Sequence, residues 1–115
     1  MSPTRRAAAA TLTQAAPIFA ALGDATRLAL VGRLCADGPL SIARLSEGAG
    51  VTRQAVTKHL HVLSDAGLVI DYWVGRDRMW ELETDSLRAA RQSLDRISAQ
   101  WDDTLGRLKA FVERS

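Results

Sequence analysis

Three short helical segments in close succession, between residues 24 and 66, restrict the fold of this chain more than any other feature of its sequence. Each segment begins after a residue that commonly caps helices, and these residues are Asp24, Ser41 and Thr52. The second and third segments are joined by the glycine-containing turn 47–52. Two short helices joined by such a turn form a helix-turn-helix.

A β-hairpin is predicted directly after these helices. Residues 68–74 are rich in β-branched and aromatic residues, residues 75–78 have the composition of a turn, and residues 79–83 alternate apolar and polar side chains. One helix is predicted before the three, with a helical pattern over 11–22 and a firm start near Pro17, and a long one after the hairpin, over 84–114. The order α-α-α-α-β-β-α indicates a mainly helical winged helix-turn-helix fold, in which the hairpin is the wing.

The helix that follows Thr52 has an apolar stripe, formed by Val56, Leu60 and Leu63, and a strongly polar opposite face. An ordinary surface helix would also have a solvated polar face. The hairpin beside this helix, with two arginines predicted at its tip, favours binding in a DNA major groove, where arginine and lysine donate to guanine and glutamine pairs with adenine. The candidate DNA-binding residues are Thr52, Arg53, Gln54, Thr57, Lys58, His61, Arg76 and Arg78.

The last predicted helix is longer than a small domain needs for one core. Its apolar residues step by three and four along the helix and form a continuous seam. A second copy related by a twofold axis would cover this seam together with two apolar residues of the first helix. A helix folded back onto its own body is the alternative. The candidate dimer-interface residues are Phe19, Leu22, Leu94, Ile97, Trp101, Leu105 and Leu108.

Four blocks of the sequence, in order and without gaps, resemble the ArsR-type winged-helix repressors. The blocks are Ala21–Leu28, Leu40–Leu45, Thr52–Leu63 and Ala66–Val69. The resemblance implies a symmetric dimer joined by its first and last helices, a polar face of the fourth helix turned to DNA, and repression that an inducer relieves. The C-terminal sequence resembles a subgroup of that family without the metal-sensing cysteines.

The sequence predicts no metal site, cofactor or catalytic centre. Metal-sensing relatives carry a Cys-x-Cys pair on the third helix, which here reads 41–47 without cysteine or histidine, and the last helix has no histidine. Cys35 lies beside the apolar residues Leu28, Val31 and Leu34 of the second helix, so it is predicted to be a buried structural residue. A metal-responsive or redox-responsive repressor that acts through Cys35 is an alternative.

The bulk properties predict one cytoplasmic domain, with residues 1–10 as a flexible arm and 11–115 as the domain. One cysteine suits a reducing compartment, and no apolar run approaches the roughly 20 residues of a membrane span. The net charge of +2 is weak support for nucleic-acid binding, so the prediction of double-stranded DNA as partner depends on the polar helix face. A protein-association module without DNA contact is the competing hypothesis, but it would need an apolar patch there.

Overall fold

The computed structural model describes residues 15–114 and has the predicted order of helices and hairpin, with one additional short strand. The expected N-terminal arm, residues 1–10, lies outside the described residues. The helices are α1 (Ala15–Leu22), α2 (Ala25–Asp37), α3 (Ile42–Ser46), α4 (Arg53–Asp65) and α5 (Thr84–Arg114), and the strands are β1 (Leu40–Ser41), β2 (Val69–Val74) and β3 (Asp77–Leu82).

The three predicted caps are confirmed as the residues that begin α2, α3 and α4. The side chains of Asp24, Ser41 and Thr52 each accept a hydrogen bond from the backbone N–H three residues later, at 3.0, 3.3 and 3.1 Å. The end of α4 is also as predicted, because Gly67 has a φ of +78°, which glycine adopts without the strain of a side chain. Local capping chemistry therefore sets the limits of the helix-turn-helix.

The sheet has three antiparallel strands in the order β1-β3-β2. The predicted four-residue turn is wrong, because the hairpin closes on Gly75 and Arg76 alone and β3 already begins at Asp77. A two-residue turn suits the twist of paired strands when its first residue has positive φ, and Gly75 has a φ of +61°. Arg78 is consequently a strand residue and not part of the hairpin tip.

The core lies between α2, α3, α4 and the inner face of the hairpin. The predicted stripe of α4 is confirmed, since Val56, Leu60 and Leu63 have no exposed surface. Trp80 of β3 is the largest completely buried side chain, and Leu45 of α3 is buried with it. Burial of each such side chain contributes roughly 1.5–3 kcal/mol, so these residues fix the position of α4 relative to the hairpin.

The predicted inward face of α2 is partly wrong. Val31 and Leu34 are buried, but Leu30 is the third buried residue, whereas Leu28 and Cys35 are exposed. Apolar residues occur on more than one side of α2, so spacing alone did not decide which stripe faces the core. Packing against α4 and β3 decides it, and the prediction of a buried Cys35 is therefore wrong.

The long helix α5 leaves the core after its third turn. Ala90 and Ser93 are buried, whereas every residue from 98 to 114 is exposed. At about 1.5 Å per residue, the 31 residues of α5 span about 46 Å. This helix therefore accounts for most of the longest dimension of the molecule, which is 66 Å. No single helix of the described part of the chain is long and apolar enough to cross a membrane, and α1 with α2 reaches that length only across a bend of 101°.

Candidate nucleic-acid interface

The turn between α3 and α4 is held by an arginine from α2. Arg33 Nη1 donates hydrogen bonds to the backbone oxygens of Leu45 (3.0 Å) and Glu47 (3.1 Å). Gly48 and Gly50 in the turn have φ values of +70° and +72°, in the region that favours glycine. Because the end of α3 is tied in this way, the start of α4 has a fixed position at the surface.

A groove of about 460 Å³ lies between the start of α4, the start of α3 and the hairpin. It brings together five of the eight candidate DNA-binding residues, although they come from two separate segments of the chain. We call it the α4–hairpin groove, and its lining residues are Ser41, Ile42, Ala43, Arg53, Gln54, Thr57, Trp73, Arg76, Asp77 and Arg78.

The other three candidates lie beside the groove and not in it. Thr52 caps α4, so its hydroxyl oxygen already accepts a hydrogen bond from the helix. Lys58 is exposed on α4. His61 is also exposed, and its ring meets the edge of Trp80 in a perpendicular arrangement with 5.8 Å between the centroids. A DNA contact by any of the three stays a prediction.

Thr57 presents a restricted set of groups to the groove. Its hydroxyl donates to the backbone oxygen of Arg53, one turn earlier in α4, at 3.0 Å. The hydroxyl proton is thereby used within the helix, which leaves the methyl group and the oxygen lone pairs for a partner. Thr57 is thus suited to an apolar contact or to acceptance of a hydrogen bond.

Arg78 is held within the hairpin. Its Nε donates to Asp71 Oδ2 at 2.7 Å, and its guanidinium carbon lies 4.7 Å from the centroid of the Trp80 ring. Arg76, by contrast, is exposed in the two-residue turn. Of the two arginines predicted at the tip, Arg76 alone is at the tip, and Arg78 joins β2 to β3.

Trp73 is the one aromatic residue among the five groove residues that sequence reasoning missed. It pairs with Arg78 across the hairpin and lines the groove, yet its side chain is 67% exposed. Alternation along β2 places Asp71 and Trp73 on one face of the strand, the same face as Trp80 on β3. That alternation was visible in the sequence, but only the strand register shows that this face borders α4.

A polar junction joins the start of α2 to α4. Arg27 Nη1 donates to His59 Nδ1 at 3.3 Å, Arg27 Nε donates to the backbone oxygen of Ala21 at 2.5 Å, and Asp24 Oδ2 lies 3.9 Å from His59 Nδ1. The backbone N–H of Arg27 lowers the pKa of the Asp24 carboxyl below its ordinary value; the positive charge of Arg27 acts in the same direction and partial desolvation opposes it. His59 therefore serves as a hydrogen-bonding residue between α2 and α4.

This junction gives a pH-dependent expectation for stability. Because the pKa of Asp24 is lower in the folded than in the unfolded state, its ionised form stabilises the fold above the unfolded-state pKa of about 3.9, and this contribution disappears as the pH falls through the folded-state pKa. Asp24→Asn keeps a capping side chain but removes the charge. We expect it to lower the urea midpoint at pH 6, and we expect this deficit to shrink as the pH falls below the unfolded-state pKa. Asp95→Asn, exposed on α5, is the control, and an Asp24→Asn deficit that persists unchanged to pH 3 would contradict this expectation.

The second candidate surface is the exposed apolar face of α5. Leu94, Trp101, Leu105 and Leu108 are between 53% and 62% exposed, and Ile97 is half-buried. We call these five residues the α5 seam. Phe19 and Leu22 of α1 are half-buried and already pack against the core, so they offer less apolar surface than the seam.

Metal-binding chemistry has little support in the residues from 15 to 114. They contain no group of three or more histidine, cysteine, aspartate or glutamate side chains that could hold an ion. Cys35 is exposed, so its thiol is accessible to solvent. The alternative of a response through Cys35 consequently depends on the thiol alone or on a second subunit.

Comparison with known proteins connects this geometry to a class of regulators. Residues 22–71 match a family model described as a helix-turn-helix domain. The HTH-type transcriptional regulator Rv2034 of Mycobacterium tuberculosis is 46% identical over 77 residues, which cover 67% of this chain and 71% of that protein.

Solved structures share this fold over most of the chain. An ArsR-like transcriptional regulator from Rhodococcus sp. RHA1 is 34% identical, with a TM-score of 0.72 over 89% of this chain and 95% of that one. A homodimeric winged helix-turn-helix DNA-binding domain from Mycobacterium bovis is 24% identical, with a TM-score of 0.62 over 87% and 88% of the two chains. At that lower identity the likeness concerns the fold alone.

Proposed function

This chain belongs to the ArsR-type winged helix-turn-helix transcriptional regulators, and from that premise we propose that it is a repressor that binds an inverted-repeat operator as a homodimer. The observation that carries the proposal is the α4–hairpin groove, in which the exposed start of α4 and the hairpin turn face the same space. Side chains that can read base edges lie on one wall, and a basic turn lies on the other.

We propose that the start of α4 enters a major groove. Arg53 and Gln54 are exposed in its first turn, and their donors and acceptors match the edges of guanine and adenine. Thr57 lies one turn further on and suits a thymine methyl. Arg76 then reaches the phosphate backbone or the minor groove at the flank, as wing residues of this kind can.

The α5 seam supports the proposed homodimer. A monomer would leave a Trp and three Leu side chains largely in water over 15 residues of one helix. A second copy would cover them with its own seam through the same surface on both sides. Two α4 helices related by a twofold axis require half-sites in inverted orientation, about one helical turn or a multiple of it apart.

The competing hypothesis, association with another protein through α4, has weaker support. Such a role would need an exposed apolar patch on α4, whereas Gln54, Lys58 and His61 are polar and exposed there. We further propose that the protein acts in the cytoplasm, where bacterial DNA lies, and that an inducer of unknown identity relieves repression.

The experiment that tests the proposal is selection of bound duplexes from a random 30-base-pair library. The most enriched duplex, called the selected duplex, is then used in a mobility-shift titration. We expect an inverted repeat, and tighter binding to it than to a duplex with the same bases in scrambled order. Weak binding that does not distinguish the two duplexes would contradict sequence-specific recognition.

Metal addition gives a separate expectation. Stoichiometric zinc, copper, cadmium or arsenite should leave the affinity for the selected duplex unchanged, because tight binding of such ions needs three or four ligands in one place. The measurement is the same mobility-shift titration with each ion present, and Cys35→Ser is the control protein. Saturable release of DNA at one ion per subunit, lost in Cys35→Ser, would instead support the alternative that Cys35 senses metal.

A further inference from the structure

Trp73 occupies an unusual position in the α4–hairpin groove. Its indole is 67% exposed, and it lies on the face of the hairpin that also carries Arg78 and the buried Trp80. An exposed indole leaves a large apolar surface in contact with water. Its single N–H donor is accessible from solvent. On the opposite wall of the groove are Arg53 and Gln54.

The charge of the groove is small for a surface that binds DNA. Three arginines line it, Arg53, Arg76 and Arg78. The charge of Arg78 is paired with Asp71, and Asp77 contributes a second carboxylate to the lining. The three arginines together with Asp71 and Asp77 have a net charge of +1. Attraction between this charge and DNA phosphates therefore supplies only part of the free energy of binding.

We infer that Trp73 binds the sugar-phosphate strand that runs between the major groove occupied by α4 and the minor groove beside the hairpin turn. This inference rests on the proposed function. When a helix lies in one groove and a turn reaches the next, one backbone strand must pass between them. Trp73 and Arg78 lie between α4 and the Gly75-Arg76 turn on the side that faces α4, and because the Arg78 guanidinium is bonded to Asp71, Trp73 is the side chain left to meet the strand.

The chemistry of the indole fits this strand. Its apolar face can pack on deoxyribose, and its N–H can donate to a phosphate oxygen without adding charge. Such a contact raises affinity for all sequences equally, because sugar and phosphate are the same at every base pair. A protein partner for Trp73 is disfavoured, since most of the side chains around it are charged or polar.

The hairpin supplies a matched control in the next residue. Val74 is 58% exposed, and alternation along β2 turns it to the other face, away from the groove. Trp73→Ala should weaken binding about tenfold to the selected and the scrambled duplex alike, Trp73→Phe about threefold, and Val74→Ala not at all. Arg76→Ala should differ in kind, because it lowers the slope of log affinity against log salt by about 1, whereas Trp73→Ala leaves that slope unchanged.

A fluorescence measurement keeps the inference testable if Trp73→Ala folds poorly. The difference between wild type and Trp73→Phe isolates the emission of Trp73, and saturating duplex should protect that emission from acrylamide. Wild-type binding with no such protection, or with Trp73→Ala as tight as wild type, overturns the role of Trp73 and leaves the proposed function standing. A Trp73→Ala loss confined to the selected duplex also overturns it, since that would be base readout. Failure of the wild type to bind any selected duplex overturns both.

Discussion

Replacement of Gln54, Thr57 and Lys58 together by alanine should reduce affinity for the selected duplex at least 100-fold, to the level of binding to scrambled DNA. Good pairing of one side chain with a base is worth about 1–3 kcal/mol, so loss of two such contacts removes most of the discrimination. Alanine favours helix, and none of the three side chains is buried, so α4 should remain folded. Mobility-shift titration on both duplexes measures the effect.

The control for this variant lies on α5. Gln92→Ala with Arg96→Ala removes one amide and one charge from exposed positions of a helix outside the groove, and binding should be unaffected. Gln54→Ala alone should relax preference at one base position in each half-site. An α4 triple variant that binds the selected duplex like the wild type would show that α4 does not read DNA.

The second large effect concerns the α5 seam. Trp101→Ala with Leu105→Ala should convert a dimer that persists at micromolar concentration into a monomer. Truncation of an apolar side chain buried at such an interface costs about 2–5 kcal/mol, and the twofold axis repeats the loss in each subunit. Sedimentation measures the change directly. The wild-type unfolding midpoint should rise with protein concentration, and that of the variant should not.

An exposed pair on the opposite side of α5 is the control for the seam. Asp103 and Arg107 are joined by an ion pair of 3.3 Å, and both are exposed. Their joint replacement by alanine should leave the dimer intact, because an exposed pair of this kind is worth little. A wild type that sediments as a monomer would refute both the dimer and the inverted repeat.

Features that depend on neighbouring residues were predictable from the sequence. The caps at Asp24, Ser41 and Thr52 and the apolar stripe of α4 follow from local chemistry and helical spacing, and the structure has them where the sequence predicts. The exposure of Arg53 and Gln54 was predictable in the same way, because polar residues opposite a buried stripe face solvent. Their contact with DNA stays a prediction.

Features that depend on contacts between distant residues were not predictable. The strand β1 is only two residues long and exists because Leu40 pairs with Trp80. The hairpin tip was misplaced because the strand register, not the composition of 75–78, determines that Asp77 pairs with Val74 and Arg78 with Trp73. The role of Arg33 at the end of α3 and the exposure of Cys35 likewise depend on how α2 lies against its neighbours.

The pairing of β1 with β3 restricts how the wing can move relative to the helix-turn-helix. Ser41 both caps α3 and pairs with Met79 of the hairpin, so the wing is tied to the helix-turn-helix at the point where α3 starts. We therefore expect the wing and the helix-turn-helix to move together, because bending the wing alone would break that link. In the proposed homodimer, we expect an effector to act by rotating the two subunits about their shared axis, so that the distance between the two α4 helices no longer matches successive turns of DNA.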